Sequence, residues 1–372
     1  MMPGTPIWLA RPTRFAALSR RAARIVLAVL ALAMLLAVAS LSAPSPPAAS
    51  DAGSAHSVDD QRDILLYEEI VDAVRHGGNY YEVAASELRA GHYPLRPFFT
   101  MRPPGLARIQ AALPLPLIVA LLYALVLAVM AAWAFWFRAS LSRWPGQAVA
   151  IALLAGGLMA FVQADLWAFH EIWAGLLVAL ALVVRRPGRW IEAVALGLMA
   201  ALIRETAVLA LAVMAAAAWV EGERREAFGW AAAIAIVALA LAFHAWGVSQ
   251  VVGPLDQASP GWSGLLGPGF FIHSVRAATA LVLAPEWLAA VLVVLALLGW
   301  CACRDPLALR VLGVILSYAA VLSLFARVDT FYWVLLVAPL MLVGLAFAPD
   351  ALRDLLRQAR GTRRVVVTEL TR

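Results

Sequence analysis

The sequence predicts an all-α polytopic membrane protein with about ten transmembrane helices and a long loop after the first of them. Of its 372 residues, 63% are hydrophobic and only 14% are charged, and the mean hydropathy is +0.84. Soluble domains are about 45–50% apolar and about 25% charged. The composition therefore excludes a soluble enzyme, a disordered chain and a disulfide scaffold. All 29 basic residues are arginine, and because they are dispersed at helix ends, the basic isoelectric point does not indicate a nucleic-acid partner.

Apolar runs near 18 residues in length define the predicted transmembrane helices. They lie at about 25–42, 113–137, 147–164, 167–184, 190–203, 205–220, 229–247, 287–303, 311–326 and 331–348. The first run is longer than the apolar part of a signal peptide, which has about 7–15 residues, so it is predicted to be an uncleaved anchor. The two runs around Arg204 and Glu205 are short for a membrane core of about 30 Å and predict a hairpin. A single crossing there would invert the orientation of all later helices.

The distribution of arginines predicts the orientation and the division of the chain. With the N-terminus in the cytoplasm, 20 arginines fall on the cytoplasmic side and 9 on the opposite side. We therefore expect a multi-pass protein of a bacterial inner membrane, with both termini in the cytoplasm and the long loop after the first helix in the periplasm. The predicted parts are a basic cytoplasmic N-terminus (1–24), a transmembrane domain (25–348) with periplasmic loops at 43–112 and 247–286, and a basic cytoplasmic tail (349–372).

The loop at 43–112 is predicted to contain two short amphipathic helices. The first begins at Asp63 and ends before Gly77–Gly78. The second begins after Asn79, with Glu82 three residues later in a capping-box arrangement. Amphipathic helices beside a membrane lie along its surface. The alternative interpretation is a lid that covers the helix bundle.

Part of this loop resembles the GT-C glycosyltransferases. The sequence Asp63-Ile-Leu-Leu-Tyr67 follows the first helix. It is similar to the D-x-x-x-Y start of the first outer loop in enzymes of the aminoarabinose transferase and protein mannosyltransferase type. The stretches at 80–82, 93–98 and 101–104 are similar to loops of bacterial members. The likeness in motifs is confined to this loop, whereas the likeness in hydropathy extends over the whole chain.

The resemblance implies an inverting glycosyltransferase that moves a sugar from a polyprenyl-phosphate donor to a lipid or glycan acceptor at the periplasmic face. It implies that Asp63 acts at the transfer centre, as the base for the acceptor hydroxyl or as a ligand of a divalent cation, with Tyr67 in support. A carboxylate that accepts the proton and a cation that stabilises the departing phosphate both favour attack on an anomeric carbon. Asp59 and Asp60 are an alternative acidic pair, for which a solvated charge run is the simpler explanation.

A second acidic or acceptor site is predicted around Asp165, His170 and Glu171. Burial of ionisable residues in apolar surroundings costs free energy unless they have a partner. The group also resembles the second acidic site of the GT-C fold, which holds a metal ion or the acceptor. The alternative is an interfacial cap with Trp167 and Trp173 as membrane anchors. Adjacent helical residues do not readily point at one ion. A divalent metal ion is the one cofactor that these residues leave open, and its ligands are unknown.

Three arginines are predicted to bind the donor phosphate. Arg204 lies between two short apolar runs, where burial of a charged side chain costs free energy. A guanidinium group binds phosphate oxygens in a bidentate manner. Arg102 and Arg327, each in an outer segment, are the further candidates. The alternative for Arg204 is an intramembrane ion pair with Glu205 that holds the hairpin together. Arg327 has the same two interpretations.

The rival function is a transporter or flippase of a lipid-linked cell-envelope precursor. Transporters favour internal repeats and broken helices near the membrane midplane. The two halves of the sequence show no convincing repeat, and the acidic residues collect at one face, which favours the enzyme. The loop at 247–286 is rich in glycine and proline and predicts a flexible flap over the site.

Overall fold

The computed structural model describes residues 6–46 and 55–361, with the backbone alone for residues 55–63. Within these ranges the chain is helical and contains no strand, as the predicted all-α class requires. The α-helices in chain order are α1 (Arg20–Ala39), α2 (Ala55–Arg75), α3 (Tyr80–Ala90), α4 (Gly105–Ala111), α5 (Leu115–Ser140), α6 (Trp144–Gly157), α7 (His170–Val184), α8 (Ile191–Ile203), α9 (Val208–Val220), α10 (Arg224–Ser249), α11 (Gly267–Ala278), α12 (Glu286–Ala302), α13 (Pro306–Leu324), α14 (Ala338–Met341) and α15 (Ala348–Arg360).

Several of these helices are long and apolar enough to cross a membrane. By length and composition there are 4 among the described residues, or up to 5 if the bent pair Val328–Leu336 and Ala338–Ala346 is one span. They identify a helical membrane protein. The other apolar helices, which include α7, α8 and α12, have 10–17 residues. At about 1.5 Å per residue, they are shorter than a membrane core of about 30 Å. The prediction of about ten crossings depends on these shorter helices and stays a prediction.

The last predicted span, 331–348, is not a regular helix. The segment Val328–Leu336 is a 3-10 helix, and the pair that it forms with the following helical segment is bent by 64°. Pro339 lies just after the break, where its missing N–H and its ring disfavour a continuous helix. A Cβ added to Gly175 would lie 2.4 Å from the backbone oxygen of Leu335. A glycine of α7 thus permits the close backbone contact that packs this broken segment.

The predicted span 147–164 is also interrupted. α6 ends at Gly157, and the 3-10 segments Met159–Val162 and Ala164–Ala168 lead from there to α7. A Cβ added to Gly157 would lie 2.6 Å from the backbone oxygen of Ala338. Glycine at this position lets the end of α6 pack directly against α14.

The segment 247–286 contains a helix that its composition does not predict. α11 buries Phe270, Phe271 and Ile272 in the main hydrophobic core. Gly267 at its start has φ +76°, a conformation that glycine adopts without strain. The glycines and prolines therefore mark the beginning of a buried helix, and the longest irregular part of the segment lies before it.

The described ends of the chain pack against each other, although the sequence predicts two basic tails. The Asp350 carboxylate of α15 accepts hydrogen bonds from the backbone N–H groups of Trp8 and Leu9, at 2.8 and 2.9 Å. Asp354 accepts one from the N–H of Thr13, at 3.0 Å. α15 in turn lies along α1. Buried carboxylates with several hydrogen bonds, and not charge repulsion, set the arrangement of these segments.

Ion pairs at the two ends of α7 show that α8 and α9 form a hairpin. Glu171, near the start of α7, contacts Arg204, which lies between α8 and α9. Arg185, just after α7, contacts Glu221, which follows α9. Since α7 has 15 residues and is about 22 Å long, α9 returns to the end at which α8 begins. We refer to the end of the bundle with Arg204 as the upper end and to the end with Arg185 as the lower end.

Four charged side chains form a network at the lower end. Arg185 donates a hydrogen bond of 2.6 Å to Glu226, and Arg310 donates bonds of 3.0 Å to Glu226 and 2.6 Å to Glu221. Arg185, Glu226 and Arg310 are buried, and Glu221 is partly exposed. The network ties α7, α10 and α13 together. A buried ion pair adds little net stability, but removal of one partner leaves an uncompensated charge.

We expect Glu226→Gln to lower the free energy of unfolding by about 3–5 kcal/mol, because two buried arginines would lose the buried one of the two carboxylates that they share. The measurement is denaturant unfolding in mixed micelles. The matched control is Glu192→Gln, which removes an exposed contact with Arg189 and should leave stability nearly unchanged. Equal losses in the two variants would contradict this interpretation of the network.

Candidate functional site

A cavity of about 590 Å³ opens at the upper end of the bundle. Its walls come from α2, the segment 93–102, the break between α8 and α9, the end of α13 and the segment 327–333. Many of the residues predicted as site residues line it: Tyr67, Arg102, Arg204, Glu205 and Arg327. Residues from distant parts of the chain are therefore brought into one space.

Glu171 holds two of these arginines together from behind the cavity. Its side chain is 0% exposed. Its Oε1 accepts a hydrogen bond of 2.5 Å from the Nε of Arg204 and lies 3.1 Å from the Nη2 of Arg102. A carboxylate in the interior is stable only when it is paired and hydrogen-bonded. Because both arginines contact the same oxygen atom, their guanidinium groups lie side by side.

Arg204 owes its position to an interruption of the helical hairpin. Its backbone is extended, with φ −136° and ψ 107°, although its N–H still bonds to the Ala200 carbonyl at 2.8 Å. The side chain is 2% exposed and also forms an ion pair with Glu205. The sequence predicts this pair as the alternative to phosphate binding. The structure contains the pair and adds Glu171 and Arg102, which the sequence does not connect to it.

Arg102 lies between two aromatic rings. Its guanidinium carbon is 5.8 Å from the ring centroid of Tyr67 and 5.8 Å from that of Tyr332, and its Nη2 donates to the Tyr332 hydroxyl at 3.3 Å. The Tyr80 hydroxyl donates to the Arg102 carbonyl at 2.6 Å, and burial raises the pKa of that phenol well above its usual value. The ring of Tyr67 lies 5.3 Å from that of His170. These contacts fix both the backbone and the side chain of Arg102.

Arg327 forms a second, more exposed group on the cavity wall. Its Nε donates to Asp329 at 2.9 Å and its Nη1 donates to the Ser259 hydroxyl at 3.0 Å. Trp262 also lines the cavity, and its ring lies 4.8 Å from that of Phe99. The prediction from sequence includes Arg327 but misses Ser259 and Trp262. A tryptophan in a loop rich in glycine and proline is the signal that could have indicated the latter.

Two loops are joined above the cavity. Arg89 donates to Asp256 at 2.7 Å, and the backbone N–H groups of Leu95 and Ser259 bond to the carbonyls of Gln257 and Arg96. The hydrogen bond from Arg89, with a second from the Gly253 N–H, lowers the pKa of Asp256 to about 2. The segment 253–259 is therefore anchored to the first loop at neutral pH.

Several buried polar atoms around the cavity have no hydrogen-bond partner among the described residues. They are the Nε of Arg102, the Oε2 of Glu205, the Oγ1 of Thr206 and the Nε1 of Trp333. Most buried polar atoms in proteins are paired, so each exception calls for an explanation. All four residues line the cavity, so a polar ligand there could bond to these atoms.

The cavity also has an apolar arm. We use this name for the apolar part of the lining, which consists of Val208, Leu209, Leu241, Val321 and Phe325 from α9, α10 and the end of α13. The cavity is therefore amphipathic, with guanidinium groups in one part and hydrocarbon walls in another. This combination fits a ligand that has an anionic head and an apolar chain.

The acidic residues predicted as site residues lie in different surroundings in the structure. The backbone of Asp63 lies in α2, one helical turn before Leu66 and Tyr67, while the side chains of Asp63, Asp59 and Asp60 lie outside the described side chains. Asp165 is exposed in a 3-10 segment and does not line the cavity. It therefore does not join His170 and Glu171, which are buried.

The sequence leaves a divalent metal ion open, with no ligands assigned. Among those residues, no group of three or more His, Cys, Asp or Glu side chains is arranged to hold a metal ion. Glu171 is bound by arginines, so it serves in the structure as an anchor for cations of the protein itself.

The chain was compared with models of protein families, with curated proteins and with solved structures, and none of the three comparisons gives a match. A functional assignment therefore depends on the geometry of the cavity and on the sequence motifs.

Proposed function

We propose that this protein is a GT-C-like glycosyltransferase that moves a sugar from a polyprenyl-phosphate donor to a hydroxyl of a lipid or glycan acceptor. The observation that carries the proposal is the amphipathic cavity, with Arg102 and Arg204 in one part and an apolar arm in the other. A lipid-linked phosphate has both an anion for the arginines and a chain for the arm. The motif from Asp63 to Tyr67 adds the carboxylate that the reaction needs.

In this proposal the arginines bind and stabilise the departing phosphate. The acceptor oxygen bonds to the anomeric carbon while the bond from that carbon to the phosphate oxygen breaks, so the phosphate departs with one more negative charge. Arg102 and Arg204 stabilise that charge because guanidinium groups bind phosphate oxygens with short, charge-assisted hydrogen bonds. Glu171 holds both arginines in place before a ligand binds. Arg327 is the third candidate for a phosphate contact.

Asp63 is the proposed base for the acceptor hydroxyl. It lies in α2 three and four residues before Leu66 and Tyr67, both of which line the cavity. Residues at these spacings share one face of a helix. The proton of the acceptor hydroxyl would pass to the Asp63 carboxylate as the new glycosidic bond forms.

We further propose that the chain crosses a bacterial inner membrane about ten times, with both termini in the cytoplasm and the upper end in the periplasm. Arg185, Arg186 and Arg189 at the lower end agree with the excess of arginine that marks cytoplasmic segments. The short helices would cross where the bilayer is locally thinned. Two of them meet at Arg204, so in this orientation the site would lie near the periplasmic surface.

The alternative of a transporter or flippase has one observation in its favour. A second cavity, of about 760 Å³, lies at the lower end and is lined by Arg185, Arg186 and Arg189. Between the two ends, however, Leu211, Val314 and other core residues are fully buried and packed. A path for a lipid head group would require these helices to separate, so the enzyme is the better-supported function.

The orientation can be tested by labelling single cysteines in spheroplasts after both native cysteines are replaced by alanine. We expect Gly253→Cys, in an upper loop with open space around it, to react with a membrane-impermeant maleimide. Arg189→Cys, in an exposed lower turn, should react only after lysis. The opposite pattern would place the cavity in the cytoplasm and remove a periplasmic reaction.

Phosphate binding can be tested with Arg204→Lys. The ammonium group lacks the planar fork of a guanidinium, so we expect the dissociation constant for farnesyl phosphate to rise about tenfold or more. Farnesol, which lacks the phosphate, should bind both proteins equally. Arg276→Lys, outside the cavity, is the matched control. Unchanged affinity of Arg204→Lys for farnesyl phosphate would assign Arg204 a structural role.

The transfer reaction can be tested with purified protein and radiolabelled polyprenyl-phosphate sugars that carry a hexose, a pentose or an amino sugar. Asp63→Asn preserves size and should lower the transfer rate by about 10²–10⁴-fold, the usual contribution of a general base. Asp59→Asn and Asp60→Asn should have far smaller effects. Wild-type rates in Asp63→Asn would remove it as the base, and no transfer by the wild-type protein from any donor would contradict the proposed function.

A further inference from the structure

Arg204 is paired with two carboxylates that differ in kind. Glu171 is 0% exposed, lies behind the cavity and is shared with Arg102. Glu205 is 16% exposed, lines the cavity and has one oxygen, Oε2, without a hydrogen-bond partner among the described residues. One contact is therefore part of the protein interior, and the other faces the space that a ligand would occupy.

We propose that Glu205 is a replaceable counter-ion: it occupies Arg204 in the ligand-free protein, and the phosphate of a lipid-linked ligand takes its place. This inference rests on the proposed function in one respect, namely that the cavity binds a lipid-linked phosphate. It adds a residue that controls access to the phosphate site.

The fixed contact with Glu171 makes such an exchange feasible. Arg204 donates through Nε to Glu171 and through Nη1 to Glu205, so loss of the second contact leaves the guanidinium held by the first. The carboxylate of Glu171 remains shared by two arginines, which leaves one positive charge in excess. An unpaired charge in a buried site is costly. The site is therefore more stable with an anion beside Arg204, either Glu205 or a ligand.

The local backbone also suits a side chain that changes partners. Glu205 begins the 3-10 turn Glu205–Ala207, where α8 has ended and α9 has not begun. A residue at such a break is not packed on all sides by its own helix. Thr206, the next residue, also lines the cavity and has an unpartnered hydroxyl. The Thr206 hydroxyl can therefore donate a hydrogen bond to the bound phosphate, whereas the Glu205 carboxylate would move away from it.

Displacement of Glu205 would make the site selective. A neutral lipid fills the apolar arm but offers nothing to Arg204 in exchange for the carboxylate. A phosphate can contact Arg102 and Arg204 together, because both guanidinium groups lie around one oxygen of Glu171. Only a ligand that combines charge with an apolar chain therefore competes with Glu205.

The test measures binding of farnesyl phosphate and of farnesol to the full-length protein in detergent. Removal of the competing carboxylate in Glu205→Gln should tighten binding of farnesyl phosphate about tenfold, as expected if Glu205 occupies the site in roughly nine-tenths of molecules. Binding of farnesol should not change. Glu192→Gln, which alters an exposed carboxylate at the lower end, should bind both probes like the wild type.

A double-mutant cycle separates exchange from a structural effect. In an Arg204→Gln background, Glu205→Gln should no longer tighten binding, since the cation that Glu205 pairs with is already absent. Thermal unfolding checks that each variant folds, and Glu205→Ala replaces Glu205→Gln if the latter does not. Equal or weaker binding of farnesyl phosphate by the folded Glu205 variants would overturn the inference while leaving the proposed function intact. A wild-type protein that does not distinguish farnesyl phosphate from farnesol would overturn both.

Discussion

The buried carboxylate of Glu171 needs partners of opposite charge, and the arrangement of the upper end provides them. A charged group inside a protein is tolerated only with a partner of opposite charge, and Glu171 has two, Arg102 and Arg204. Arg102 comes from the first loop, and Arg204 from the break between two short helices. The need to pair a single side chain therefore brings the loop, the start of α7 and the tip of the α8–α9 hairpin to one point, and the cavity forms where they meet.

The lower network around Glu226 gives the short helices their register. In a membrane, apolar side chains pack as well against lipid as against each other, so apolar contacts alone specify helix pairs poorly. α7, α8 and α9 are dominated by alanine, leucine and valine, which allow many packings. Glu171 ties one end of α7 to Arg204, and Arg185 ties the other end to Glu221 and Glu226. Polar networks at both ends then leave one arrangement of the apolar surfaces between them.

The sequence predicts what depends on local pattern and misses what depends on packing. Apolar runs locate most of the helices, and charged residues in apolar surroundings single out Arg204 and Glu205. The broken segment 328–346 looks regular in hydropathy, because its shape comes from close contact with glycines of other helices. The sequence does not predict α11, because the glycines and prolines at its start are typical of a loop. Proximity in sequence groups Asp165 with Glu171, but a 3-10 turn leaves Asp165 exposed.

The charge balance of the cavity bears on how such a site distinguishes ligands. Arg102, Arg204 and Arg327 are matched by Glu171, Glu205 and Asp329, so the ligand-free site is close to neutral. A site with unpaired arginines would be unstable inside the protein and would bind any small anion. In a neutral site, an anion binds by replacing one of the carboxylates that pair with the arginines. This replacement contributes little binding free energy unless burial of an apolar chain adds to it. The apolar arm supplies that second contribution. In the proposed function, the pairing of each arginine before the ligand arrives would therefore favour a lipid-linked phosphate over free phosphate.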